Sequence, residues 1–414
     1  MPWKATDMLK ERTKFVLEWE RRWREAEGGP VNMTELCRMF GISRQTGYVW
    51  VARYRAANRR LDALADRSRR PKVSPTAISQ ALEDLIVAAR KHYPRWGPRK
   101  LHARLVERNP GLYVPSASVI AKVLHRRGMT ARRPVRRRAP SLGVAAPFSG
   151  CTKPNDVWCI DFKGWFRTSA DHKKCYPLTL IDAFSRYLLR CEALLDPDGR
   201  HVRQILDSAF QEYGLPAAIR SDGGPPFAST GPARLTELSV WLLRLGIRIE
   251  IIAPAKPQQN GRLERLHRTL KAETASPPAA DLDAQQRIFD RWRGQYNHER
   301  PHEALRMRRP MSIYTLSKAR YPRPLLQPAF EPFATVSRID KRGFITWNRK
   351  AVFISTALKH EAIQLELSAE RAGRWMVSWG AIPLGYLDEN RPERGLVVQR
   401  RRRGEQQVSG MSFQ

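Results

Sequence analysis

The stretch VWCIDFKGWF, residues 157–166, sets one acid, Asp161, in the middle of an apolar run. Trp158, Ile160 and Phe162 around it read as a buried strand, where an ionised carboxylate is costly unless a cation meets it. YPLTLIDAF (176–184) and RYLLRCEAL (186–194) read as two more strands. A helix over 198–213, a short strand at AAIRSD (217–222), a helix over 234–245 and a strand at RIEIIAP (248–254) follow. Three successive strands and then alternating helix and strand predict a mixed sheet flanked by helices.

Two more acids stand out against that frame. Asp222 closes the strand AAIRSD, and Gly223-Gly224-Pro225-Pro226 makes a sharp loop beside it, at the end of a strand where such sheets hold ligands. Glu264 is the only acid in KPQQNGRLERLHRTLK (256–271), a stretch dense with Lys, Arg and His. The stretch predicts a helix after Pro257 with Leu263, Leu266 and Leu270 as its packing stripe, which turns His267, Arg268 and Lys271 to Glu264's side. Each acid has a structural alternative. Asp161 could pair with a buried cation, Asp222 could make an Asx turn, and Glu264 could form surface pairs with Arg265 or Arg268.

The charge extends the same theme. The 414 residues carry 74 Lys and Arg against 40 Asp and Glu, a formal net charge of +34. Residues 51–150 alone hold 23 Lys and Arg and 5 acids. Such a field favours polyanions, nucleic acid above all, because each neutralised phosphate releases counterions. No apolar run of 18 or more residues and no signal peptide is present, so no membrane partner is expected. Five cysteines with no CxxC pair predict reduced thiols and a cytoplasmic, nucleoid-associated protein.

Upstream, residues 7–27 are apolar at helical spacing (Met8, Phe15, Val16, Trp19, Trp23) and Gly28-Gly29-Pro30 stops that helix. In NMTELCRMFGISRQTGYVWVARYR (32–55), Asn32 with Glu35 resembles a capping box, and Leu36, Met39 and Phe40 make an apolar side. Gly41 allows the turn, and Ser43 caps a second helix on which Trp50 and Tyr54 share a face. This helix-turn-helix pattern leaves Arg44, Gln45 and Tyr48 pointing outward, where such a fold reaches base edges. Residues 1–66 are thus assigned to a helix-turn-helix domain, 67–75 to a basic linker with Arg69 and Arg70, and 76–130 to a second helical DNA-binding module cored by Leu101, Leu105, Ile120, Val123 and Leu124. An Arg/Pro-rich linker, 131–153, offers Arg136 and Arg137 to a phosphate backbone.

The sheet domain is assigned to 154–320, with a last helix from Asp281 to Tyr296. In YNHERPHEAL (296–305), Tyr296, Pro301 and Leu305 are expected to lock that helix while Arg300 pairs with an acid. A Pro-rich linker (321–330) leads to short alternating strands over 331–393, expected to form a small β-barrel with Trp375, Trp379 and Tyr386 in its core. Residues 394–414 are expected to be a basic disordered tail.

Taken in order, VWCIDFKG, PLTLIDAFSRY, IRSDGGPPFAS, KPQQNGRLERLHRTLK and YNHERPHEAL resemble the integrase-type catalytic core of bacterial insertion-sequence transposases, in the retroviral-integrase superfamily. MTELCRMFGISRQTGYVW and RWGPRKLHARL are similar to the helix-turn-helix units of the same transposases. The resemblance implies a ribonuclease-H-like fold for the mixed sheet and makes Asp161, Asp222 and Glu264 its Asp-Asp-Glu catalytic triad and metal ligands. The interval between Asp222 and Glu264 holds 41 residues, longer than the retroviral pattern, so Glu264 rests on QNGRLE; Gly223 stands where the family commonly has Asn. Asp182 is the rival acid and is assigned a structural role.

Hard oxygen ligands suit Mg²⁺, with Mn²⁺ as a substitute. Around them Asn260, Arg262, His267, Arg268 and Lys271 would position DNA. The implied activity is that of a transposase that binds its element's terminal repeats, cleaves the DNA ends and joins the 3′-OH to target DNA, acting on double-stranded DNA as a homo-oligomer. Two other readings stand beside it: a sequence-specific DNA-binding regulator with an inactive core, and a nuclease that hydrolyses without joining.

Overall fold

A computed structural model describes residues 8–67, 78–130, 151–252, 261–398 and 409–411. The chain divides into two units, Met1–Ala77 and Ile78–Gln414.

In the first unit the apolar spacing produces α1 (Met8–Glu25), α2 (Met33–Met39) and α3 (Arg44–Ala56). Phe15, Val16 and Trp19 pack with Leu36, Cys37, Val51 and Tyr54 in one buried cluster. Met39, expected on that apolar side, is exposed. Both later helices begin at side-chain caps. Asn32 accepts from the Glu35 N–H and Ser43 from the Thr46 N–H, each at 3.2 Å, which satisfies amides the helix cannot. Gly41 takes φ +66° in the turn between them. At Gly47 a Cβ would stand 2.5 Å from Cys37 Sγ, so glycine is what lets α3 cross α2 so closely.

The second unit opens with α4 (Gln80–His92), α5 (Pro98–Arg108) and α6 (Ala117–Arg126), which bury Leu101, Leu105, Ile120, Val123 and Leu124 as anticipated, together with Ile86 and Trp96. The central sheet follows: β1 (Val157–Phe162), β2 (Phe166–Arg167), β3 (Lys174–Asp182), β4 (Leu188–Leu194), β5 (Ala218–Ser221) and β6 (Arg248–Ile251). α7 (Gly199–Tyr213), α8 (Glu237–Arg244), α9 (Gly261–Thr274) and α10 (Leu282–His298) lie among them in the chain. β3 runs antiparallel to β1 and β4, whereas β5 is parallel to β1 and β6. The sheet is mixed, as expected.

Strand alternation sorts the side chains to two faces. Trp158 and Ile160 join Leu206, Phe210, Trp241 and Leu243 from α7 and α8 in one cluster. Val157 and Cys159 join Leu263, Leu266, Leu270, Phe289 and Trp292 from α9 and α10 in another. Asp161 shares the parity of Val157 and Cys159, which aims it toward α9. β2 was not anticipated. It continues β1 past an irregularity: Phe162 faces Leu178 and Phe166 faces Cys175, so β1–β2 spends one more residue than β3 across the gap. That is a β-bulge at Lys163-Gly164-Trp165, with Gly164 at φ +86°.

Beyond the core, β7 (Thr335–Arg338), β8 (Phe344–Trp347), β9 (Lys350–Phe353), β10 (Ala362–Leu367), β11 (Arg374–Trp379) and β12 (Ile382–Asp388) correct the barrel expectation. They form an open four-stranded sheet, β12-β11-β10-β7, and a separate β8–β9 hairpin. Among the described residues no ladder joins β12 to β7. The outer edge of β12 is bridged instead by Val397, whose N–H and C=O both bond Tyr386 at 2.9 and 3.0 Å. Trp379 is fully buried in the cluster that also holds Trp158, whereas Trp375 and Tyr386 are half-buried.

The tail expectation is corrected at one place: β13 (Ser409–Met411) pairs antiparallel with β6. All five cysteines are free thiols. No helix among the described residues is long and apolar enough to cross a membrane.

Candidate active site and nucleic-acid interface

Asp161 lies on β1 opposite Thr179 of β3. The Thr179 hydroxyl donates to the Asp161 carbonyl at 3.3 Å and stands 2.7 Å from His267 Nε2. The other ring nitrogen, Nδ1, faces Asp161 Oδ2 at 3.9 Å. Burial first, and the Lys163 charge second, push His267 down to about 3, so it is neutral at pH 7. This corrects the placing of His267 among outward DNA contacts. It is buried between α9 and β3, because the leucine stripe rolls this edge of the helix onto the sheet.

The Asp161 carboxyl is pushed up to about 7. Burial is the main cause and repulsion from Asp222 the next; the Phe162 N–H and Lys163 oppose them, and Glu264 adds to the rise. The three acids therefore share one electrostatic neighbourhood, although they come from the middle of β1, the end of β5 and the first turn of α9. Asp222 and Glu264 are both exposed. Asp222 Oδ1 takes a long bond, 3.4 Å, from the Gly224 N–H. Among the described residues no three His, Cys, Asp or Glu side chains converge on a point that could hold a metal ion. Closing the trio on an ion needs side-chain movement, which the exposure of Asp222 and Glu264 permits.

On α9, Arg268 and Lys271 are exposed beside Glu264. On α3, Arg44, Gln45 and Tyr48 are exposed at the capped N-terminal end. Asn260, the Arg262 side chain, Arg69, Arg70, Arg136 and Arg137 lie outside the described residues.

The rival acid has a clear structural task. Asp182 is fully buried and accepts from the Asn155 N–H at 2.8 Å, the Ser185 N–H at 2.7 Å and the Ser185 hydroxyl at 2.6 Å. It ties the end of β3 to the approach to β1. Arg300 pairs with Glu273 of α9 at 2.7 Å, the acid partner the YNHERPHEAL reading expected for it, and Trp292 donates to the same carboxylate at 2.8 Å, which joins α10 to α9.

Three residues near the acids escaped the sequence reading. Lys163 and Thr179 bear on Asp161 and His267, and the Arg234 guanidinium donates to the Gly223 carbonyl at 2.8 Å. A Cβ at 223 would stand 2.6 Å from that guanidinium, so the glycine accommodates the arginine. Lys163 was legible in principle, two positions from Asp161 on a strand. Arg234 was not, because its contact spans a loop.

The comparisons with known proteins bear on the domains that carry these residues. Residues 151–257 and 245–310 match the integrase core domain, and residues 46–124 match a homeodomain-like domain. The insertion element IS476 uncharacterized 39.2 kDa protein of Xanthomonas euvesicatoria is 28% identical over 285 residues, covering 68% of this chain and 72% of that protein. The insertion element IS407 uncharacterized 31.7 kDa protein of Burkholderia multivorans is 29% identical over 235 residues, 56% of this chain and 79% of that protein. The Pol polyprotein of feline endogenous virus ECE1 is 32% identical over 120 residues, 29% of this chain and 11% of the polyprotein.

Proposed function

We propose that this chain is of the insertion-sequence transposase type with an integrase-type core, and that it binds the terminal repeats of its element, cleaves the DNA ends and joins the freed 3′-OH to target DNA. The observation that supports the catalytic part is that Asp222 and Glu264 both add to the rise that burial chiefly causes at Asp161, so the three acids act on one another through space. Three carboxylates that repel one another on a surface otherwise rich in Arg and Lys are a poor structural device and a good cation trap.

The donor set is all carboxylate oxygen, which fits Mg²⁺ and admits Mn²⁺. Asp161, Asp222 and Glu264 would hold the ions. Bound there, Mg²⁺ would activate the attacking oxygen and stabilise the leaving one in an in-line displacement. The chain's own side chains do the rest. Thr179 and His267 brace α9 against β3 so that Glu264 is presented beside Asp161. Neutral His267 adds no charge that would compete with a cation. Arg268 and Lys271 take phosphates and set register, while Arg44, Gln45 and Tyr48 read base edges at the terminal repeats. Double-stranded DNA is the partner, and holding two ends together calls for a homo-oligomer.

The test is incubation of the purified chain with DNA flanking its own gene and Mg²⁺, followed by sequencing of the products. Asp161→Ala, Asp222→Ala and Glu264→Ala are each expected to abolish cleavage and joining while end binding persists. Loss of end binding in all three would mark them as structural acids. The unconverged trio favours one second reading, a DNA-binding regulator with an inactive core. Site-specific binding without any Mg²⁺-dependent cutting by the unaltered chain would select it.

A further inference from the structure

The geometry points to Trp165 as a stacking platform for an unpaired base of the DNA at this site, an assignment that rests on reading the chain as a DNA-processing protein. Trp165 is 53% exposed, four residues after Asp161 on the same bent strand. In a regular strand it would lie on the face of Asp161 and Lys163. The bulge at Lys163-Gly164-Trp165 breaks that alternation and turns the indole out of the ladder.

The ring is held by cations. Lys174 Nζ lies 5.0 Å and Arg167 Cζ 5.8 Å from its centroid, and these two residues face each other across the β2–β3 pairing. From 163 to 174 the hairpin carries Lys163, Arg167, Lys173 and Lys174 against one acid, Asp171. That acid already takes the Thr168 hydroxyl and Lys173 Nζ, the latter at 3.4 Å. A ring meant for a protein partner would be rimmed by other apolar groups. This one is rimmed by positive charge, which suits an aromatic base with phosphates on either side. Surface cation–π pairs are weak, so Lys174 can turn to those phosphates when a base arrives, while Arg167 stays tied to the His172 carbonyl at 2.7 Å. An exposed indole on the strand that carries Asp161 offers an unpaired base at a DNA end a surface to stack on.

The test measures binding in EDTA, where no cleavage intrudes, using a blunt duplex and the same duplex with a few unpaired nucleotides at one end, one of them 2-aminopurine. Trp165→Ala in the full chain is expected to weaken the overhang probe about tenfold, the worth of one stacked base, and to relieve quenching of the aminopurine. The blunt duplex is expected to bind unchanged, and Trp165→Phe to keep most of the overhang affinity. Equal loss on both probes, or no loss on either, overturns the assignment. Failure of the unaltered chain to cut DNA in Mg²⁺ would count against the transposase reading and leave this outcome standing on its own.

Discussion

At the scale of the residue, Asp161 ties the proposed chemistry to stability. An unfolded aspartate titrates near 4, and in the folded protein this one is pushed up to about 7. The folded state therefore keeps its proton longer. The group costs nothing below about pH 4; its cost grows between about pH 4 and 7, where the unfolded chain has given up this proton and the folded one has not, and is constant above. Asp161→Asn removes the charge and nearly keeps the shape. The variant is expected to come close to the unaltered chain at about pH 3.5 and to be more stable at pH 8 by roughly 1–4 kcal/mol, measured by urea unfolding in EDTA. A stability gap independent of pH would show that Asp161 is not ionising against its neighbours. His267 makes the complementary point: its identity as a polar, basic residue was plain in the sequence, but its burial against Thr179 was decided by which edge of α9 the leucines press onto the sheet.

Among the elements, α3 and α9 show how far local pattern reaches. The caps at Asn32 and Ser43, the turn at Gly41 and the exposure of Arg44, Gln45 and Tyr48 all follow from short-range spacing. Each depends on contacts a few residues apart, which a sequence displays directly. Arg44→Ala is expected to lower the preference for terminal-repeat DNA over unrelated DNA by about 1–3 kcal/mol, read from competition binding. An equal loss on every sequence would make Arg44 a phosphate contact. On α9 the helix and its leucine stripe were equally legible. The bulge between β1 and β2 was not, since nothing inside VWCIDFKGWF says that β3 will be one residue shorter across the gap. The same holds for the C-terminal strands. Their alternation was readable, but whether the edges of β7 and β12 close a barrel depends on pairing between distant segments, and Val397 occupies one of those edges.

For the whole molecule, the net charge of +34 predicts how binding responds to ions. Each phosphate neutralised should steepen the fall of log affinity with log salt by about 0.9, so a salt series on any duplex is expected to be steep. A flat series would contradict a phosphate-driven interface.

Composition and spacing by themselves determined that this chain would carry capped helices at its N-terminal end and a mixed sheet in its middle, and made a polyanion the expected partner, because these depend on periodicity and summed charge. They also singled out Asp161, Asp222 and Glu264. What only the tertiary structure decided was the company those acids keep: that Asp222 and Glu264 press on Asp161, that His267 is neutral and braced, and that Asp182 is a tie; it also decided that Trp165 stands exposed between β1 and β2. Coulomb forces and burial act through space, between residues as far apart in the chain as β1 and α9, and no local pattern encodes those distances.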